Sequence, residues 1–303
     1  MSLKLRDAVA VLVAISLAAC SGNQAEADDH AGHDADTGAA AATATAAAST
    51  DTTIAPSAAT ARQRLEASPR HGEWAMIPAG SGDSVRAWVV YPERSDKAPV
   101  VLVVHEIFGL STWIRSVADQ LAADGFIAIA PDLLTGKYAM SSPNDTLASD
   151  SAVALIRTLD QADVQRRLVA VARYGMALPS AQQHYGIVGF CWGGGVSFAQ
   201  AIAGTPELGA AVVYYGTPPK PDQLPKVHAP VLGLYGGNDN RVSSTVPATD
   251  SAMKSLDKSY EHFVFDGAGH GFLRVQDGQN GANRAAATQA WPKTVAWFDK
   301  YLR

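Results

Sequence analysis

Seven short stretches of the chain are apolar almost without a break: Arg86–Tyr91, Val100–Val104, Phe126–Ala130, Tyr185–Phe190, Ala210–Tyr215, Val231–Tyr235 and His262–Phe265. Runs of that length predict strands, and continuous runs, as opposed to alternating ones, predict strands covered on both faces as in a parallel sheet. Between them lie stretches of helical character, Trp113–Ala123, Ser149–Met176 with a break inside it, Gly193–Ala203, Ser244–Leu256 and Asn283–Leu302. Strands alternating with helices through right-handed crossovers predict a doubly wound, mostly parallel α/β fold in a single domain. No internal repeat interrupts the alternation.

Ahead of residue 62 the texture changes twice. Lys4 and Arg6 precede an uncharged apolar run, Ala8–Ala19, which is too short to span a bilayer but suits the core of an export signal. The run ends in Leu17-Ala18-Ala19-Cys20, which resembles the lipobox of bacterial lipoproteins. That resemblance implies that residues 1–19 are removed, that Cys20 carries the lipid, and that the protein is anchored in the bacterial cell envelope, at the periplasmic face or the outer membrane. Several acyl chains at about 0.8 kcal/mol per buried CH₂ hold a protein on a membrane almost permanently. An ordinary secretory signal that leaves Cys20 as a free thiol is the alternative. Residues 21–61 are dominated by Ala, Thr and Asp and lack aromatic residues, so residues 20–61 are expected to be a disordered tether and 62–303 the folded domain. His30 and His33 lie among Asp28, Asp29 and Asp34; they are read as part of a solvated linker, and no metal or other cofactor is assigned.

Charge sharpens this division. The chain of 303 residues has 24 Lys and Arg against 29 Asp and Glu. Residues 21–61 contain six acidic residues and no basic one, so they hold the whole excess, and 62–303 is formally neutral. A nucleic-acid binder needs a basic surface, so that class is excluded. With only two cysteines the chain is neither a disulfide scaffold nor a four-thiolate zinc site.

Chemistry in such a fold sits at the carboxyl ends of the strands, and three strands end in suggestive residues. Gly189-Phe190-Cys191-Trp192-Gly193 has the form of a nucleophile elbow, a turn so tight that small neighbours are required. The helix that follows aims N–H groups and its positive end at the Cys191 sulfur, which favours thiolate. Asp239 follows the strand ending at Tyr235, and His270 lies on a glycine-flanked loop after Phe265. The order nucleophile, acid, histidine is that of α/β-hydrolases. The loop His105-Glu106-Ile107-Phe108-Gly109 follows the Val100–Val104 strand, where this fold takes one oxyanion-hole donor; the backbones of Ile107 and Trp192 are the two expected donors. His71, His184, His228 and His262 are read as structural or surface groups.

With these residues in place the chain resembles the dienelactone hydrolase family from about Glu73 to Leu302. The matching pieces are His105-Glu106-Ile107-Phe108-Gly109, Ala130-Pro131-Asp132-Leu133, Gly189-Phe190-Cys191-Trp192-Gly193-Gly194, Gly236-Gly237-Asn238-Asp239, Gly269-His270-Gly271-Phe272 and Asn283-Arg284. The resemblance implies an α/β-hydrolase fold with Cys191, Asp239 and His270 as triad, and Glu106 as a partner of the resting thiol that helps turn it toward substrate. It implies a small ester or lactone as substrate, with Arg274 matching one of two arginines that hold a substrate carboxylate. The other position, near Gly136, has no Arg; Lys137 could supply charge there without the guanidinium fork. Gly271 stands where lactone-cleaving members have Ser, so dienelactone itself is an uncertain substrate. A thiol peptidase or thioesterase, and a catalytically silent surface-binding lipoprotein, are the alternatives of other classes. The oligomeric state is not legible, and a monomer is favoured.

Overall fold

The computed structural model describes residues 52–80, 82–139 and 147–303, and within them each apolar run is a strand of one eight-stranded sheet. The strands are β1 (Gly72–Gly80), β2 (Asp83–Val90), β3 (Ala98–Val104), β4 (Ile127–Pro131), β5 (Ala181–Phe190), β6 (Leu208–Tyr214), β7 (Val231–Gly236) and β8 (Tyr260–Phe265). The helices are α1 (Ala61–Glu66), α2 (Thr112–Ala123), α3 (Ser149–Ile156), α4 (Gln161–Met176), α5 (Trp192–Ala203), α6 (Asn240–Ser243), α7 (Val246–Ser255) and α8 (Ala282–Leu302). The sheet order is β1-β2-β4-β3-β5-β6-β7-β8. The pairs β1/β2 and β2/β4 are antiparallel, and all pairs from β4 through β8 are parallel. This is the single-domain, mostly parallel α/β fold expected from the alternation, in the α/β-hydrolase arrangement that the family resemblance implies.

The apolar runs of the central strands divide by period two into two cores. Val101 and Val103 of β3 pack with α2 and α8, whereas Val100, Leu102 and Val104 pack with α4 and α5. All seven β3 residues are buried, so a polar residue on either face would lose its water. The expected break in Ser149–Met176 falls after Ile156, and α4 restarts behind Asp160, whose carboxylate accepts from the N–H groups of Ala162 and Asp163 at 2.8 and 3.2 Å. β1 was not expected. It is an edge strand: Trp74–Ala79 is apolar but contains Pro78, which a strand tolerates only at such an edge, and only Ile77 and Ala79 are buried.

The expected signal peptide, the expected lipid-bearing Cys20 and most of the expected tether lie outside the described residues. The expected domain boundary at 61/62, however, needs correction. Ile54 and Ala55 are buried in the core shared by α2 and α8. Their carbonyls, with that of Pro56, accept bonds from Arg64, Gln276 Nε2 and Trp113 Nε1 at 2.8 to 2.9 Å. Ala58 N–H donates to the carbonyl of Arg274 at 2.8 Å. The folded part therefore extends back at least to Ile54. Two or three apolar residues are too few to give a periodic signal, and their burial is decided by distant partners.

Candidate active site

The turn after β5 is built around glycines that have no alternative. A Cβ on Gly189 would run into the Gly193 carbonyl, and one on Gly193 would run into the carbonyls of Val104 and His105. The start of α5 is thereby pressed against the ends of β3 and β5, and Cys191 between them takes φ 55° and ψ −116°. Such a conformation is strained for a side-chain-bearing residue and persists because its surroundings over-determine it. The Cys191 N–H is held by Tyr214 O at 3.0 Å, and its side chain is half-buried.

Two further loops bring their side chains to the sulfur. The acid turn after β7 is stitched to the histidine loop by Gly237 N–H to Phe265 O and Asn238 N–H to Ala268 O, both 2.8 Å. Asn283, buried at the start of α8, accepts from Gly269 N–H at 2.8 Å and donates to Val275 O at 2.7 Å, clamping the loop on both sides of His270. Asp239 is buried, and its Oδ2 lies 2.6 Å from His270 Nδ1. The Cys191 side chain is close enough to the imidazole to act on its charge. Burial alone would lower the His270 pKa, but Asp239 and Cys191 together raise it to about 9. The three side chains picked out by their order in the sequence are thus brought together.

Trp192 is the first residue of α5, so its N–H has no carbonyl within the helix to bond. Ile107 opens the loop after β3 beside Glu106. Glu106 is 3% exposed and its Oε2 lies 2.8 Å from Arg274 Nε. Burial pushes its carboxyl pKa up, while Arg274, His270 and the Tyr215 hydroxyl pull it down. The Arg274 guanidinium also lies 4.9 Å over the Phe108 ring, so one edge of this cation is committed to the protein. Lys137 sits exposed in the turn after Leu134, and among the described residues no hydrogen bond or ion pair joins its side chain to the triad. Its neighbour Tyr138 is drawn inward to Arg86 and to the buried Asp132, at 2.9 and 2.8 Å. Asp132 also pairs with Arg86 and accepts from Leu134 N–H, which accounts for the Pro-Asp-Leu segment as a brace.

Tyr215 escaped the sequence reading. It has φ 41°, its side chain is buried, and its ring stands edge-on to His270 at 5.1 Å and to Phe272 at 5.3 Å. In the sequence it reads only as the end of an apolar run. Among the described residues no group of three or more His, Cys, Asp or Glu side chains is placed to hold a metal ion. The arrangement can form a thiolate beside an imidazolium, with backbone donors next to it.

Comparison with known proteins points the same way. The dienelactone hydrolase family matches residues 85–302. A protein of Salmonella typhimurium named "Putative carboxymethylenebutenolidase" is 33% identical over 270 residues, covering 82% of this chain and 98% of its own. Among solved structures, one titled a "Putative Dienelactone Hydrolase" from Klebsiella pneumoniae has a TM-score of 0.67 at 30% identity, covering 77% of this chain and 99% of its own. The dienelactone hydrolase of Anabaena variabilis, 22% identical with a TM-score of 0.58 over 77% of this chain and 99% of its own, shares the fold.

Proposed function

Since the chain belongs to the dienelactone hydrolase family, we propose that it hydrolyses small carboxylic esters or lactones through Cys191, His270 and Asp239. One observation carries this reading: a cysteine in a strained elbow stands beside a histidine whose Nδ1 is 2.6 Å from a buried carboxylate. The Cys191 sulfur attacks the carbonyl carbon, and the resulting oxyanion rests on the N–H groups of Ile107 and Trp192. The carbon–oxygen bond to the leaving alkoxide breaks as His270 gives it a proton, leaving a thioester. Water then passes a proton to His270 and attacks the thioester, and the acid product departs as the thiolate is restored. Each oxyanion donor is worth roughly 10²- to 10³-fold in rate.

Arg274 is already paired with Glu106, and the exposed Lys137 makes no hydrogen bond or ion pair with the triad. This favours an uncharged ester or lactone over one that must be gripped by a carboxylate. When a ligand displaces Arg274 from Glu106, the freed carboxylate can act on the thiol. The location is the cell envelope, through a lipid on Cys20 after removal of residues 1–19, and the working unit is a monomer. In a test on p-nitrophenyl acetate, Cys191→Ala abolishes hydrolysis while circular dichroism and melting temperature stay at the wild-type level. Full activity in that variant would overturn the assignment.

A further inference from the structure

His105 has no part in the chemistry above, yet it is fully buried at the end of β3, directly before Glu106 and Ile107. Both ring nitrogens are engaged, and the nature of the partners fixes the tautomer. The Leu133 amide can only donate, so Nε2, 3.3 Å from it, accepts and carries no proton. The Glu106 carbonyl can only accept, so Nδ1, 2.8 Å from it, is the protonated nitrogen. Burial lowers the pKa of the ring, more than the Asp132 carboxylate and the backbone bonds raise it, in keeping with a neutral imidazole.

The bond to Glu106 O matters beyond that atom. In a planar trans peptide the carbonyl and the following N–H point in opposite directions, so whatever holds the Glu106 carbonyl also sets the direction of the Ile107 N–H. Gly109 N–H reaches the same carbonyl only at 3.3 Å, from within the same loop. The opposite donor is touched by the same side chain. The His105 ring is stacked on the Trp192 indole, with centroids 5.5 Å apart and planes 20° apart. The backbone of His105 is also one of the two surfaces that leave no room for a Cβ on Gly193.

We propose that His105 is a positioning residue that aligns the two oxyanion-hole N–H groups, Ile107 through the peptide plane and Trp192 through the ring stack, and fixes both to the end of β4 at Leu133. The proposal rests on the thiol-hydrolase reading of the site. A ring that merely filled the core could be exchanged for an apolar one of similar shape with no effect confined to the turnover rate.

The test uses the full chain and two rates. Hydrolysis of p-nitrophenyl acetate needs the oxyanion hole. Alkylation of Cys191 by iodoacetamide needs the same thiolate but builds no oxyanion there. His105→Phe keeps a ring for the stack and removes the Nδ1–H donor. It lowers kcat by roughly 10²-fold, the worth of one misaligned donor, with KM within about threefold and the alkylation rate unchanged. His105→Asn places an amide N–H near the former Nδ1 and recovers part of the lost kcat. If His105→Phe does not fold, His105→Leu takes its place. An unchanged kcat in the folded apolar variant overturns the proposal, as does a fall in alkylation that matches the fall in kcat. Failure of both apolar variants to fold also overturns it, since His105 would then be a core-forming group. Failure of the underlying reading has a separate signature, hydrolysis that survives Cys191→Ala.

Discussion

His270 sits between two groups that both hold its proton, and its pKa is raised to about 9 against the effect of burial. Two consequences follow at the scale of this residue. The imidazolium that would protonate the leaving group persists to about pH 9, so kcat for an ester with an alkoxide leaving group falls above that pH. Asp239→Asn removes one of the two groups and moves the falling limb to lower pH; a limb that does not move would argue against the pairing. The folded pKa also exceeds the ordinary value of about 6.5. The folded protein thus holds this proton more tightly than the unfolded chain, and the stabilisation is present below about pH 6.5 and lost as pH rises through about 9. Cys191, Asp239 and His270 were legible because each ends an apolar run beside glycines, a signal carried by adjacent residues. Tyr215 was not, and His105 stood in a matching motif without a role. Their positions follow from contacts with Leu133, Trp192 and His270, which nothing near them in the sequence announces.

At the scale of elements, the central strands were readable because each is buried on both faces and is apolar throughout. The edge strand β1 was not read because Pro78 lies inside its apolar run and only Ile77 and Ala79 are buried. The junction of β5 and α5 shows how packing overrides local preference. Alanine suits a helix better than glycine by about 1 kcal/mol, yet at Gly193 it would strike backbone carbonyls of β3 that cannot move aside. Gly193→Ala is therefore expected to lower stability by about 3 kcal/mol, as overpacking does, and to reduce activity as α5 shifts. Gly195→Ala, two residues on, meets its nearest atom, the Thr217 carbonyl oxygen, at 3.3 Å, which a shift of a few tenths of an ångström relieves, and is expected to lose much less. Melting temperatures of the two variants decide the matter: an equal loss in both would show that the contact at Gly193 is not the controlling one.

At the scale of the whole molecule, the segment from Ile54 to Ala58 is where sequence reasoning placed the fold boundary too late. A chain begun at Arg62 loses the buried Ile54, worth about 2 kcal/mol, leaves the Trp113 donor without its carbonyl at about 1 kcal/mol or more, and takes from Gln276 one of its two bonds. Its urea midpoint is expected to fall well below that of a chain begun at Thr52, and coincident midpoints would refute the structural role of the segment. The same segment has a mechanical side. Ala58 is bonded to the carbonyl of Arg274, the residue whose side chain holds Glu106. A pull on the chain ahead of Thr52 would be taken up first, in shear, by the bonds at Ile54, Ala55 and Pro56. Because Gln276, two residues after Arg274, holds the Ala55 carbonyl, part of that load would pass straight into the loop carrying Arg274, so tension on the amino terminus would be felt beside the reactive thiol.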